Sequence, residues 1–117
     1  MKLIDLDPSF QRCELRDGRE FHCEVATIEE AQGVEFLCPK CFEKNGGAVG
    51  THVVLCWSRS RGAPDAASPG PGRWKISGTG FHDLTLDADP PSNARSVDLH
   101  GGCRWHGFVT NGEVTNA

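Results

Sequence analysis

Two short cysteine motifs constrain this chain more than any other feature. Cys38-Pro39-Lys40-Cys41 is a C-x-x-C knuckle, and Cys103-Arg104-Trp105-His106 is a C-x-x-H knuckle. The tight turn inside each lets both donors face one point, and a structural zinc site takes four sulfur or nitrogen donors in a tetrahedron. Each knuckle also adjoins a strand-like stretch: Phe36-Leu37 enters the first, and Gly107-Phe108-Val109 leaves the second. Two such halves make a zinc ribbon, so the expected centre is one structural Zn²⁺ on Cys38, Cys41, Cys103 and His106. Cys41 and Cys103 lie much farther apart than the roughly 15–20 residues of compact ribbons. The two halves are therefore joined here by ligand count and not by spacing.

Three thiolates and a neutral imidazole form a closed sphere, which argues for a structural ion over a catalytic one with an open water position. Lys40 and Arg104, inside the knuckles, are placed to offset its negative charge. The competing reading of Cys38 and Cys41 is a redox dithiol, which needs a helix starting at the first cysteine to lower its pKa. Asn45-Gly46-Gly47 is expected to break the chain before such a helix forms, and zinc is the favoured reading.

At 117 residues the chain is one domain, here 1–117, and it carries fourteen glycines and seven prolines. A composition so rich in turn formers gains from a metal staple. The net charge of −4 gives no global attraction to nucleic acid, so a nucleic-acid reading must rest on a local patch. The segment Met1-Lys2-Leu3-Ile4-Asp5-Leu6-Asp7-Pro8 has acidic residues and a proline where a signal peptide needs an apolar stretch, and no run approaches the length of a membrane helix. The expectation is a cytoplasmic protein with reduced thiols, no membrane association, and cysteines used for metal.

Residues 2–6 read as a short strand, and residues 10–25 as a hairpin turning at Arg16-Asp17-Gly18-Arg19. Thr27-Ile28-Glu29-Glu30 fits a capping box closed by Gly33, which predicts one short helix over 28–32 and no other of note. Residues 34–37 and 51–57 read as strands; in the second, Val53, Leu55 and Trp57 share one face while His52, Val54 and Cys56 share the other. Residues 59–73 have many breakers and no periodicity, and are expected to form an exposed, mobile loop. Short strands follow at 74–77 and 83–86, then a loop over 87–96. The last hairpin turns at Asn111-Gly112, between Phe108-Val109-Thr110 and Glu113-Val114-Thr115. The predicted fold class is a small β-rich α+β domain, an elaborated zinc ribbon with one short helix.

Cys13, His22, Cys23 and Cys56 match no common knuckle spacing, and adjacent His22 and Cys23 on a strand point to opposite faces. Free, packed cysteines are the preferred reading of these positions. His82-Asp83 reads as a surface pair, and neither His52 nor His100 has a partner identifiable from sequence. No phosphate loop, nucleophile elbow or H-E-x-x-H motif is present, and the expectation is a protein that is not an enzyme. Arg59, Arg61, Arg73 and Lys75, interleaved with Trp57 and Trp74, offer a second reading as a single-stranded nucleic-acid surface. Core tryptophans and solvated arginines are the simpler account in an acidic chain.

Phe36-Leu37-Cys38-Pro39-Lys40-Cys41, Trp74-Lys75-Ile76-Ser77-Gly78, Asp83-Leu84-Thr85-Leu86 and the run from Gly102-Cys103-Arg104-Trp105-His106 to Glu113-Val114 resemble a family of small phage and prophage proteins known as a domain of unknown function. The resemblance spans most of the chain after residue 30. It implies zinc on Cys38, Cys41, Cys103 and His106, and a phage setting, but no activity. With it, the expected function is a non-enzymatic interaction module that binds a host or phage protein, a class that includes inhibitors of host defence systems. A nucleic-acid-binding zinc ribbon using residues 59–75 is the alternative.

Overall fold

The computed structural model describes residues 1–117. Strands β1 (Ser9–Arg16), β2 (Arg19–Val25), β3 (Gly33–Leu37) and β4 (Val53–Trp57) form an antiparallel sheet in the order β2-β1-β3-β4. β5 (Trp74–Ser77) pairs with β6 (Thr85–Ala88), and β7 (Val97–Asp98), β8 (His106–Thr110) and β9 (Glu113–Asn116) make a third antiparallel sheet. The molecule is thus a small β-rich domain with one α-helix and a zinc-ribbon-like cysteine group. No helix is long and apolar enough to cross a membrane.

The hairpin turns follow the sequence signals. Asp17 and Gly18 have φ of 49° and 75°, and Asn111 and Gly112 have φ of 49° and 75°. These are the paired left-handed conformations of a two-residue turn whose twist matches its strands. Gly112 is doubly required, because a Cβ there would also collide with the His82 carbonyl.

The helix is not where the capping box placed it. Ile28–Glu30 forms only a single 3₁₀ turn, in which the Thr27 hydroxyl reaches the Glu30 carboxylate rather than a backbone amide. The α-helix, α1, spans Pro39–Asn45 and starts from Cys38. Pro39 at the first helical position has its φ preset and needs no hydrogen-bond acceptor. Gly46, at φ 68°, ends the helix, and the Gly47 amide caps the Phe42 carbonyl at 3.0 Å. The glycines terminate a two-turn helix instead of preventing one. The expected first strand at 2–6 is likewise a 3₁₀ turn, Leu3–Leu6, whose Leu3 and Leu6 point into the core.

Strand alternation divides the large sheet into two faces. Phe10, Val34, Phe36, Val54 and Cys56 pack with Leu84, Leu86, Val97, Trp105 and Val109 in the main core. Cys13 and Trp57 lie on the opposite face, covered by Ala63 and Ala67. Residues 59–73 have no regular structure, as expected, but they are not simply exposed. They wrap around Arg73, which is 3% exposed. Its guanidinium donates to the carbonyls of Pro64, Asp65, Ala67, Pro69 and Gly72 at 2.8–3.3 Å. The fully buried Trp57 donates its indole N–H to the Ser68 carbonyl at 2.8 Å. Truncating a buried tryptophan costs about 3–5 kcal/mol, so this cover is integral to the fold.

Candidate metal centre

Cys38, Cys41, His52 and Cys103 form a group whose donor atoms all lie within 4.8 Å of one another, a set that can hold a metal ion. Local structure places each donor. Cys38 directly follows β3 at the N-cap position of α1; Cys41 follows on the first turn of α1, so both sulfurs sit on one side of the helix start. His52 arrives through strand pairing: the Cys38 amide donates to the His52 carbonyl at 2.9 Å, extending the β3–β4 ladder by one step. Cys103 comes from the segment before β8, in a turn where Gly102 and Arg104 have φ of 59° and 57°. Lys40 donates to the Cys103 carbonyl at 2.8 Å and pins this turn to α1.

Within the group, the sulfurs of Cys38 and Cys103 are 3.4 Å apart, and His52 Nε2 is 3.3 Å from the Cys103 sulfur. His52 Nδ1 lies 3.2 Å from the Val53 carbonyl. A proton on Nδ1 directed at that carbonyl leaves Nε2 as the donor atom, the usual way an outer partner orients a metal-binding imidazole. Burial pushes the Cys38 thiol up to about 12, with the neighbouring Cys103 adding to the effect. Burial raises the Cys103 thiol too, but hydrogen bonds from His52, the Trp105 amide and the cysteines outweigh it and bring the group down to about 6. One thiolate is thus favoured at neutral pH, and a metal ion would supply the charge that deprotonates its partners.

Three of the four expected ligands meet here; the fourth does not. His106 opens β8; Trp105 just before the strand and Gly107 and Val109 within it turn inward, and alternation sends His106 out to solvent. Its ring sits tilted beside Phe108 at 6.5 Å. The C-x-x-H spacing therefore supplies only Cys103, and His52 takes the remaining place. A signal for His52 existed: it shares a strand face with Val54 and Cys56, and pairing the strand at 34–37 with that at 51–57 sets it opposite Cys38. The helix at 39–45 also restores a feature of the redox reading, yet the buried thiol at its start is raised and not lowered, the opposite of what a nucleophilic dithiol needs.

The basic residues of the nucleic-acid reading separate. Arg73 is the buried hub described above, and Arg61 donates to the Ile76 and Ala31 carbonyls at 3.1 and 3.5 Å. Arg59 pairs with Asp65 at 3.2 Å, and Lys75 is exposed. Trp57 is fully buried and offers no stacking face, while Trp74 is half-buried and donates to the Ser96 carbonyl at 3.2 Å.

Of Cys13, His22, Cys23 and Cys56, only Cys13 and His22 come together; the other two lie apart from them. Cys56 is fully buried in the main core, where burial raises its thiol, and Cys23 faces solvent on the other side of β2 from His22. Asp83 instead organises a turn, accepting from the Thr79 amide and hydroxyl at 2.8 Å each and from the Gly80 amide at 3.0 Å.

A groove of about 610 Å³ begins beside the cysteine group. His52, Val53 and Leu55 line one side, with Pro71, Trp74 and Leu99 among the residues facing them. Comparison of the chain with protein-family models, with curated proteins and with solved structures finds no match.

Proposed function

We propose that this chain is a non-enzymatic interaction module, held together by one structural zinc ion on Cys38, Cys41, His52 and Cys103, that takes an extended segment of a partner protein along the outer edge of β4. Zinc is the fitting ion because three thiolates and an imidazole are a borderline-soft donor set, closed to substrate. The partner is a host or phage protein, the setting implied by the family resemblance.

The observation that carries this reading is the unpaired edge of β4. The strand pairs only with β3. The Cys38-to-His52 bond at one end and the Ser58-to-Gln32 bond at the other turn even-numbered residues toward β3. Val53, Leu55 and Trp57 then direct their backbone groups away from the sheet, as antiparallel pairing requires. An open edge is a template for another strand, and natural edges are usually guarded by lysine, proline or a bulge. Val53-Val54-Leu55-Cys56-Trp57 has none of these. The edge is recessed in the apolar groove, which suits one extended chain better than a second sheet, and main-chain pairing with side-chain pockets is a common mode of peptide recognition.

The test uses peptides selected from a random display library on the zinc-loaded protein. Bound peptide is expected to slow hydrogen exchange at the Val53 and Leu55 amides. Val53→Pro removes an outward amide without touching the β3 ladder and is expected to weaken binding tenfold or more while metal content stays constant. Selected peptides that protect another surface, or that bind Val53→Pro equally well, would overturn the reading. So would tight, salt-sensitive retention of the protein on single-stranded nucleic acid with no effect of Val53→Pro.

A further inference from the structure

On the far side of the sheet, three donors of different chemistry meet. Cys13 on β1 stands directly opposite His22 on β2, and Glu20 lies two residues before His22 on the same face. One sulfur, one carboxylate oxygen and one imidazole nitrogen lie within 4.8 Å of one another. We propose that Cys13, Glu20 and His22 form a second metal site, separate from the cysteine-rich centre, which takes a zinc-class divalent ion and leaves a fourth position open to water or an incoming ligand.

The group is built from rigid parts. Two paired strands carry all three residues, so no loop must rearrange to bring them together. The Cys13 amide donates to the Gln32 side-chain carbonyl at 3.0 Å, fixing the strand where the thiol turns inward. The His22 ring packs edge-on against Trp57, with centroids 5.0 Å apart and planes at 68°. Glu20 contacts His22 Nε2 and accepts the Ser68 amide on both oxygens at 3.1 Å, which ties the site to the covering segment.

Charge and access fit a bound cation. A thiolate and a carboxylate together neutralise a divalent ion; burial and the neighbouring Glu20 raise the Cys13 thiol, so the incoming ion has to displace its proton. Cys13 is 6% exposed, while the side chains of Glu20 and His22 are 23% and 35% exposed. The sulfur thus forms the floor and the other two donors the rim, with room for a fourth ligand on the solvent side. Three protein donors and one open position are the pattern of reactive zinc sites, in contrast to a closed three-thiolate sphere. Thiolate and imidazole together favour zinc or cobalt over magnesium or calcium. A plain histidine–glutamate pair would use neither the cysteine nor a metal, and stoichiometry separates the two.

The test is metal content and cobalt titration of the folded full chain. Wild type is expected to bind two equivalents, the second with the weaker sulfur-to-cobalt absorption of a single thiolate. His22→Ala and Cys13→Ala are expected to lose the second equivalent only, with circular dichroism and the first equivalent unchanged. His22→Ala, at a rim position, keeps the test valid should the buried Cys13 variant fail to fold. Saturation of wild type at one equivalent overturns the proposal, as does a second equivalent that survives both substitutions and is therefore adventitious.

Discussion

Replacing Arg73 with methionine keeps most of the side-chain volume and removes the group around which residues 59–73 are arranged. Five carbonyls lose their donor. Those of the exposed Asp65 and Pro69 regain water, whereas that of Ala67 lies in a buried residue and is left without a partner. A hydrogen bond to a charged donor is worth about 1.5–3 kcal/mol, and an orphaned buried carbonyl costs about 1–3 kcal/mol. Against these stands relief from burying the guanidinium, also several kcal/mol. The net expectation is a loss of about 3 kcal/mol, a large share of the roughly 5–15 kcal/mol that holds a domain together. At about 2.1 cal/mol/K of unfolding entropy per residue, it lowers Tm by about 12 °C. Thermal and urea unfolding followed by circular dichroism measure it, with Arg59→Met as the exposed control, expected within about 0.5 kcal/mol of wild type. Arg73→Lys recovers only part of the loss, because a single ammonium cannot reach five acceptors. An Arg73→Met protein that melts with the Arg59→Met control would refute the view that the guanidinium organises this segment.

Other expectations follow from the same contacts. Cys103→Ala and His52→Ala are expected to lose tight zinc at the cysteine-rich centre, whereas His106→Ala retains it; mass spectrometry of the intact holoprotein reads all three, and metal loss in His106→Ala alone would restore the C-x-x-H ligand. Deleting residues 62–71 removes four of the five carbonyls that Arg73 holds, together with the cover over Trp57, and is expected to yield a chain that fails to melt cooperatively. The backbone and side-chain bonds from Thr79, with that from Gly80, hold the Asp83 carboxyl down to about 2. Because the folded value is the lower one, the stabilising contribution is present above the unfolded carboxylate range near 3.9 and is lost as pH falls through about 2. NMR titration of Asp83 and acid unfolding of Asp83→Asn check this. Gly112→Ala places a side chain at φ 75° and against the His82 carbonyl, and is expected to cost about 2 kcal/mol or more in chemical unfolding.

Several features were legible in the sequence because their causes are short-range. Asp17-Gly18 and Asn111-Gly112 encode their turns through left-handed backbone preference, and the alternation of Val54 and Cys56 against Val53, Leu55 and Trp57 encodes which residues share each face of the sheet. Cys38 and Cys41 are set by one turn of chain, and Cys103 was found because thiols are rare enough to stand out. The fourth donor was not legible from spacing, because alternation along β8 is governed by burial of Trp105 and turns His106 outward, while His52 reaches the centre through strand pairing. Gly46-Gly47 carried a stop signal whose position relative to a helix start depended on β3 ending just before Cys38. Arg73 reads as a solvated charge until the chain folds carbonyls around it, and Cys13, Glu20 and His22 become neighbours only when β1 and β2 pair. Local backbone preference is written in adjacent residues; which distant donors share a point is decided by register and burial, and those belong to the folded chain as a whole.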